Sequence, residues 1–136
     1  MLEDIPLALP ALERAQRISQ RVSRVGFDGP TINAVWEKIQ EEWAELRRAA
    51  RPSSRKAAEE ELGDLLFTLV NWARFKNISA EEALRKSTRR FSERFRRVEM
   101  ELRRRGKTLE ESTLEEMDQI WKRVENIGRR KGRKRH

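Results

Sequence analysis

Glu42 with Glu45, and Glu61 with Asp64, form two acidic pairs, each with three-residue spacing in a stretch of helical periodicity. That spacing puts both carboxylates of a pair on adjacent turns of one helix face, so two antiparallel helices carrying such pairs aim four carboxylates at one point. A cluster of this kind needs a counter-cation. Donors that are all oxygen select a hard cation, Mg²⁺ first and Mn²⁺ as its substitute. Taken alone, the same pairs are equally read as solvated or salt-bridged acids on charge-rich helices.

Other chemistries drop out by composition. Cysteine is absent and the only histidine is His136, the last residue. The chain therefore offers no thiolate nucleophile, no Cys/His zinc site and no Ser-His-Asp triad. Four-helix carboxylate proteins that hold iron or manganese use Glu-x-x-His motifs, and no interior histidine is present to build one.

The elements that must position the acids follow from caps and breakers. A first helix is expected from Pro10 to about Val25, with Pro10 in its first turn and Gly26 ending it. A second runs from an N-cap near Thr31 to about Arg51, where Pro52 and two serines interrupt it, and a third from Ser54 to about Lys76. Ser79 with Glu82, and Thr113 with Glu116, have capping-box spacing and open a fourth helix to about Arg105 and a short fifth ending near Gly128. No strand-like alternation of useful length and no internal repeat is present. Short connections favour antiparallel neighbours, so the expected fold is an all-α antiparallel bundle of about five helices.

On a helical wheel Trp36, Ile39, Trp43 and Leu46 form one apolar stripe expected to face the core, with Lys38, Glu42 and Glu45 along its flank and Glu41 pointing away. The third helix carries Leu62, Leu65, Leu66, Phe67, Leu69, Val70 and Trp72, which predicts the most buried helix of the bundle. Glu61, Asp64 and Asn71 share its narrow polar strip. Acids on a buried helix either protonate or acquire a cation, which favours the metal reading. On the fourth helix Leu84, Ser87, Phe91, Phe95, Val98 and Leu102 make the inward stripe. Arg90, Arg94 and Arg97 follow one flank, and their guanidinium forks suit phosphate oxygens. For Arg97 a surface ion pair is preferred.

At 136 residues with 40% charged side chains and no tyrosine, the chain has the composition of one domain of long, salt-bridged helices. Of the net charge of +8, six come from Arg129, Arg130, Lys131, Arg133, Lys134 and Arg135, leaving +2 elsewhere. The basic charge thus belongs to a tail. The expected organisation is an N-terminal extension over residues 1–8, a helical domain over 9–128 and a disordered basic tail over 129–136. A nucleic-acid partner enters only through that tail, as weak and salt-sensitive affinity. No apolar run of about 18 residues and no basic-then-apolar leader is present, so a cytoplasmic chain is expected.

Composition and spacing name no substrate; a resemblance does. The stretch from Val35 to Leu46, with Glu41, Glu42 and Glu45, and the stretch Glu59 to Phe67, with Glu61 and Asp64, resemble the MazG family of nucleotide pyrophosphohydrolases. The family pattern pairs Glu-Glu-x-x-Glu with a later Glu-x-x-Asp, here with 15 residues between the two. Asn71 to Arg74, Arg90 to Phe95, Ala11 to Asp28 and Trp121 extend the likeness, which covers about residues 9–127. It implies an all-α protein, related to dimeric dUTPases and phosphoribosyl-ATP pyrophosphohydrolases and similar to the C-terminal domain of two-domain relatives. It implies Mg²⁺-dependent cleavage of a nucleoside triphosphate between its α and β phosphates, with house-cleaning of non-standard nucleotides as a further role. Carried over by position, Glu42, Glu45, Glu61 and Asp64 are catalytic metal ligands. Lys38, Arg90 and Arg94 are triphosphate-binding residues, and Trp121 lies near the nucleotide. Thr88 and Arg90 depart from the Asn and Lys of many relatives, which bears on substrate preference.

The water that attacks is expected to be activated by the cation or by Glu45 or Glu61 acting as base. A homo-oligomer, dimer or tetramer, is expected, because a small bundle that opens a polar cleft leaves Trp36, Trp43, Trp72 and the Phe residues available to a partner helix. The rival reading is a non-catalytic helical interaction module or a nucleic-acid-binding module using the basic tail.

Overall fold

Hydroxyl caps begin four of the helices. Thr31 Oγ1 accepts the Ala34 N–H at 3.1 Å, and Ser54 Oγ accepts that of Ala57 at 3.2 Å. Ser79 Oγ and Thr113 Oγ1 accept the N–H groups of Glu82 and Glu116, each at 3.2 Å. Each cap satisfies an amide that has no partner in the first helical turn. The structure is a computed structural model that describes residues 1–49 and 54–133. Its helices are α1 (Ala11–Ser23), α2 (Ile32–Ala49), α3 (Arg55–Phe75), α4 (Ala80–Arg104) and α5 (Leu114–Arg133), with no strand among the described residues. The all-α expectation holds.

The helix ends agree with their breakers. Gly26 after α1 and Gly106 after α4 take positive φ, and the following amides, Phe27 and Lys107, bond back to Val22 O at 3.1 Å and Leu102 O at 2.9 Å. Asn77 does the same work after α3, with φ 56° and Ile78 bonding to Ala73 O at 2.9 Å. Two ends differ in place. The expected end of the second helix, near Arg51, falls outside the described residues, and α5 runs past Gly128 to Arg133. The last part of the basic run, residues 134–136, also lies outside them.

The chain divides into two compact units, Met1–Leu84 and Arg85–His136. In the first, α3 packs against both α1 and α2. Gln16 bonds at Ile78 and Ala80 while Ser19 bonds to Asn71 and Arg74. Glu42 and Glu45 meet Glu61 while Val35 and Lys38 share a groove with Thr68 and Asn71, so α1 and α2 are both antiparallel to α3. Val35, Ile39 and Leu65 form its buried cluster, with Leu46, Trp72 and Phe75 packed around them. The N-terminal residues are tied down as well: Ile5 is buried, and Arg21 donates to Asp4 Oδ1 at 2.7 Å and to Met1 O at 3.0 Å.

The inward stripe of α2 departs from expectation. Val35, Ile39 and Glu42 face the interior, while Trp36 and Trp43 are 50% and 53% exposed. Ile39 and Leu46 keep the expected side, but Val35 and Glu42 take the places of the two tryptophans, the smaller Val35 packing with Leu65 of α3. Nor is α3 covered on most of its circumference within this unit: Leu62, Leu66, Phe67 and Leu69 are exposed.

In the second unit Val98, Leu102 and Ile120 are buried, with Leu109, Met117, Trp121 and Val124 around them. The predicted stripe of α4 is inward only over its later half: Phe95 is half-buried, whereas Leu84, Ser87 and Phe91 are exposed. Glu116 does not reach back to its cap but binds Arg105 at 3.1 Å and Lys107 at 2.9 Å, closing the α4–α5 connection. No helix among the described residues is long and apolar enough to cross a membrane.

Candidate functional site

Antiparallel packing of α2 on α3 brings Glu42, Glu45 and Glu61 together, each offering an oxygen within 4.8 Å of the others. Glu42 sits on the inward face of α2 and is 6% exposed; Glu45, one turn on, and Glu61 are half-buried. Asp64, the fourth predicted ligand, is exposed and outside this group of three, though close enough for its charge to act on Glu61.

The electrostatics of the cluster are those of crowded acids. Glu61 has its pKa raised above the ordinary 4.5, first by partial burial, then by a hydrogen bond with Glu45 and the negative charges of Glu45, Glu42 and Asp64. One cation relieves one of them: Lys38 Nζ lies 3.0 Å from Glu42 Oε1 and 3.6 Å from Glu41 Oε2, and the Glu42 contact raises the lysine pKa. Glu42 Oε2 and Glu61 Oε2 remain buried with no hydrogen-bond partner. Buried carboxylate oxygens without donors are costly, and in a group of three they are the donors that a hard divalent cation takes. The donor set therefore fits such an ion, and with all-oxygen chemistry it fits neither zinc nor iron as well.

The remaining predicted residues belong to the second unit. Arg90 is exposed on α4 and takes part in no ion pair or hydrogen bond among the described residues. Arg94 is engaged. It donates through Nε and Nη2 to Trp121 O at 3.1 and 2.7 Å and through Nη2 to Glu125 at 3.1 Å, and its guanidinium lies 3.8 Å over the Trp121 ring. Phe91 packs on the same indole with centroids 5.0 Å apart. In this arrangement Arg94 and Trp121 hold α5 on α4.

One constellation went unread in the sequence. Asn71 Oδ1 on α3 accepts three donors, Ser19 Oγ at 2.6 Å and Arg74 Nε and Nη2 at 3.1 and 2.9 Å. Ser19 is buried on α1 and also accepts from Arg74 Nε at 2.9 Å, and Arg74 is paired with Asp28 in the loop before α2. This network borders a groove of about 500 Å³ walled by Phe27 and Phe67. A smaller groove of about 350 Å³ shares Gly29, Phe67 and Asn71 with it and is also lined by Lys38. Asn71 was legible on the polar strip of α3, but its partners 52 positions earlier in the chain, and in a loop, carried no local signal.

Comparison with known proteins shows what the chain is similar to. Residues 31–98 match the sequence profile of the MazG nucleotide pyrophosphohydrolase domain. The chain is 46% identical over 116 residues to a nucleoside triphosphate pyrophosphohydrolase/pyrophosphatase MazG of Thermotoga maritima, covering 85% of this chain and 44% of that protein. It is 44% identical over 127 residues to a nucleoside triphosphate pyrophosphohydrolase of Escherichia coli, covering 90% and 48%. An uncharacterized protein YabN of Bacillus subtilis is 41% identical over 70 residues. The chain spans less than half the length of these relatives.

Proposed function

Since the chain belongs to the MazG family of nucleotide pyrophosphohydrolases, we propose that it hydrolyses nucleoside triphosphates between the α and β phosphates, with Mg²⁺ as cofactor and Mn²⁺ as substitute. The observation that carries this reading is the group of three carboxylates, two of them with buried, unpartnered oxygens. Glu42, Glu45 and Glu61 would hold the cation, with Asp64 completing the set from the next turn of α3. When bound, the cation neutralises phosphate charge and lowers the pKa of a coordinated water.

The chain's own residues supply the rest. Lys38 holds Glu42 in place through Oε1, so that Oε2 is left for a ligand. Glu45 or Glu61, adjacent carboxylates of the group, accepts the proton of the attacking water. Water oxygen bonds to phosphorus, the bridging α–β P–O bond breaks, and the products are a nucleoside monophosphate and pyrophosphate. By the family resemblance Arg90, exposed on α4 and unpaired among the described residues, is assigned to triphosphate binding. By the same resemblance, Arg94 and Trp121 are assigned to nucleotide binding.

The exposed apolar residues of α2 and α3, Trp36, Trp43, Leu62, Leu66 and Leu69, support assembly with a second copy. A cytoplasmic setting suits a substrate of this class. The decisive experiment is pyrophosphate release from each ribo- and deoxyribonucleoside triphosphate with Mg²⁺, beside Glu61→Gln. Release with an equimolar monophosphate, lost by at least about a hundredfold in the variant, is expected. No release from any triphosphate overturns the reading.

A further inference from the structure

We infer that the groove between α1 and α3 seats the base of the nucleotide, and that Asn71, oriented by Ser19 and Arg74, reads a carbonyl group on the base edge. This rests on the nucleotide reading above and extends it to a specificity site.

The Asn71 amide has one orientation open to it. Oδ1 of Asn71 accepts from Ser19 Oγ and from two nitrogens of Arg74. Turning the amide over would set its NH₂ group against the N–H donors of a guanidinium, so the orientation is forced. Nδ2 is then the atom left over, and it has no partner among the described residues. Asn71 therefore presents only a donor to whatever enters the groove, and the complementary ligand group is an acceptor such as a ring carbonyl.

The walls suit a flat ring. Phe27 is 79% exposed in the loop after α1 and Phe67 is 45% exposed on α3, and both line the groove without being covered by the unit. Faces of this kind take aromatic rings by stacking. Charge argues against a phosphate here: the guanidinium of Arg74 is already paired with Asp28, so the network is close to neutral.

Position completes the case. The smaller groove shares Asn71 and Phe67 with this one and is also lined by Lys38, which is bonded to Glu42 of the acidic group. From Glu61 to Asn71 the rise along α3 is about 15 Å at 1.5 Å per residue, a length that an extended nucleotide bridges from its phosphates to its base. Ser19 and Arg74 are thus positioning residues, and Asn71 is the reader.

The test is an NMR titration of the full chain, without metal, using GMP, UMP and AMP as probes. GMP and UMP should bind more tightly than AMP, which carries no carbonyl. Asn71→Ala should weaken GMP and UMP about tenfold and leave AMP nearly unchanged, so that the preference disappears. Phe27→Ala, at a solvent-exposed loop position that does not threaten folding, should weaken all three. Absence of binding to the wild type, an undiminished preference in Asn71→Ala, or unaltered binding in Phe27→Ala would each overturn the inference. If the monophosphates bind as expected but no triphosphate is hydrolysed, the base site stands and the catalytic reading falls.

Discussion

Lys38 Nζ and Glu42 Oε1 are 3.0 Å apart, and the other oxygen of that carboxylate is buried with no partner. The lysine side chain is 54% exposed and the glutamate 7%, so a solvated cation secures a desolvated anion. Removing the lysine leaves the anion with neither water nor charge. We expect Lys38→Met to lower Tm by about 3 °C without Mg²⁺ and by less at saturating Mg²⁺, because the bound cation replaces the lost charge. Differential scanning calorimetry with and without the metal reads both values. An equal deficit in both conditions would show that Lys38 stabilises the fold independently of the cluster.

Glu61 carries the opposite sign. Its raised pKa means that the protonated form is favoured in the folded chain, so its contribution to stability is full below the unfolded value near 4.5 and is lost as pH rises through the folded pKa. Glu61→Gln cannot titrate. The metal-free variant should therefore melt above the wild type at pH 7, and the gap should narrow as pH falls toward 5. Mg²⁺ should raise the wild-type Tm and leave the variant nearly unmoved. A variant less stable than the wild type at pH 7 without metal would contradict a crowded acidic cluster.

Arg94 separates support from substrate contact. Its two bonds to Trp121 O, its pair with Glu125 and its place over the indole predict that Arg94→Ala costs about 2 kcal/mol. Arg94→Lys should recover less than half, since an ammonium cannot form both carbonyl bonds while lying flat on the ring. Urea unfolding followed by Trp fluorescence measures the loss. Unchanged unfolding with a raised KM would instead assign Arg94 to the triphosphate alone.

The outward tryptophans predict assembly. Trp36→Glu combined with Trp43→Glu places charge on a face that the first unit leaves uncovered. Analytical ultracentrifugation should find an oligomer for the wild type and a monomer for the double variant, with helical content by circular dichroism retained. An unchanged oligomer would move the interface elsewhere.

Local chemistry was enough to write much of this protein from its residues. Hydroxyl caps and the glycines after the first and fourth helices mark helix ends because each satisfies backbone groups within a few residues, and the four hydroxyl-capped starts recur. The choice of Glu42 over Glu41 followed from helical spacing alone, and the buried Glu42 beside the exposed Glu41 agrees with it. Packing decided what periodicity could not. An amphipathic wheel weighs tryptophan heavily, but whether Trp36 or Val35 meets α3 depends on the facing helix, and here the smaller side chain fits. Spacing likewise placed Asp64 with Glu61, whereas the distance between facing helices brought only Glu42 and Glu45 to Glu61. The commitment of Arg94 to α5 and of Asn71 to Ser19 and Arg74 depends on contacts between residues far apart in the chain, which no local pattern encodes.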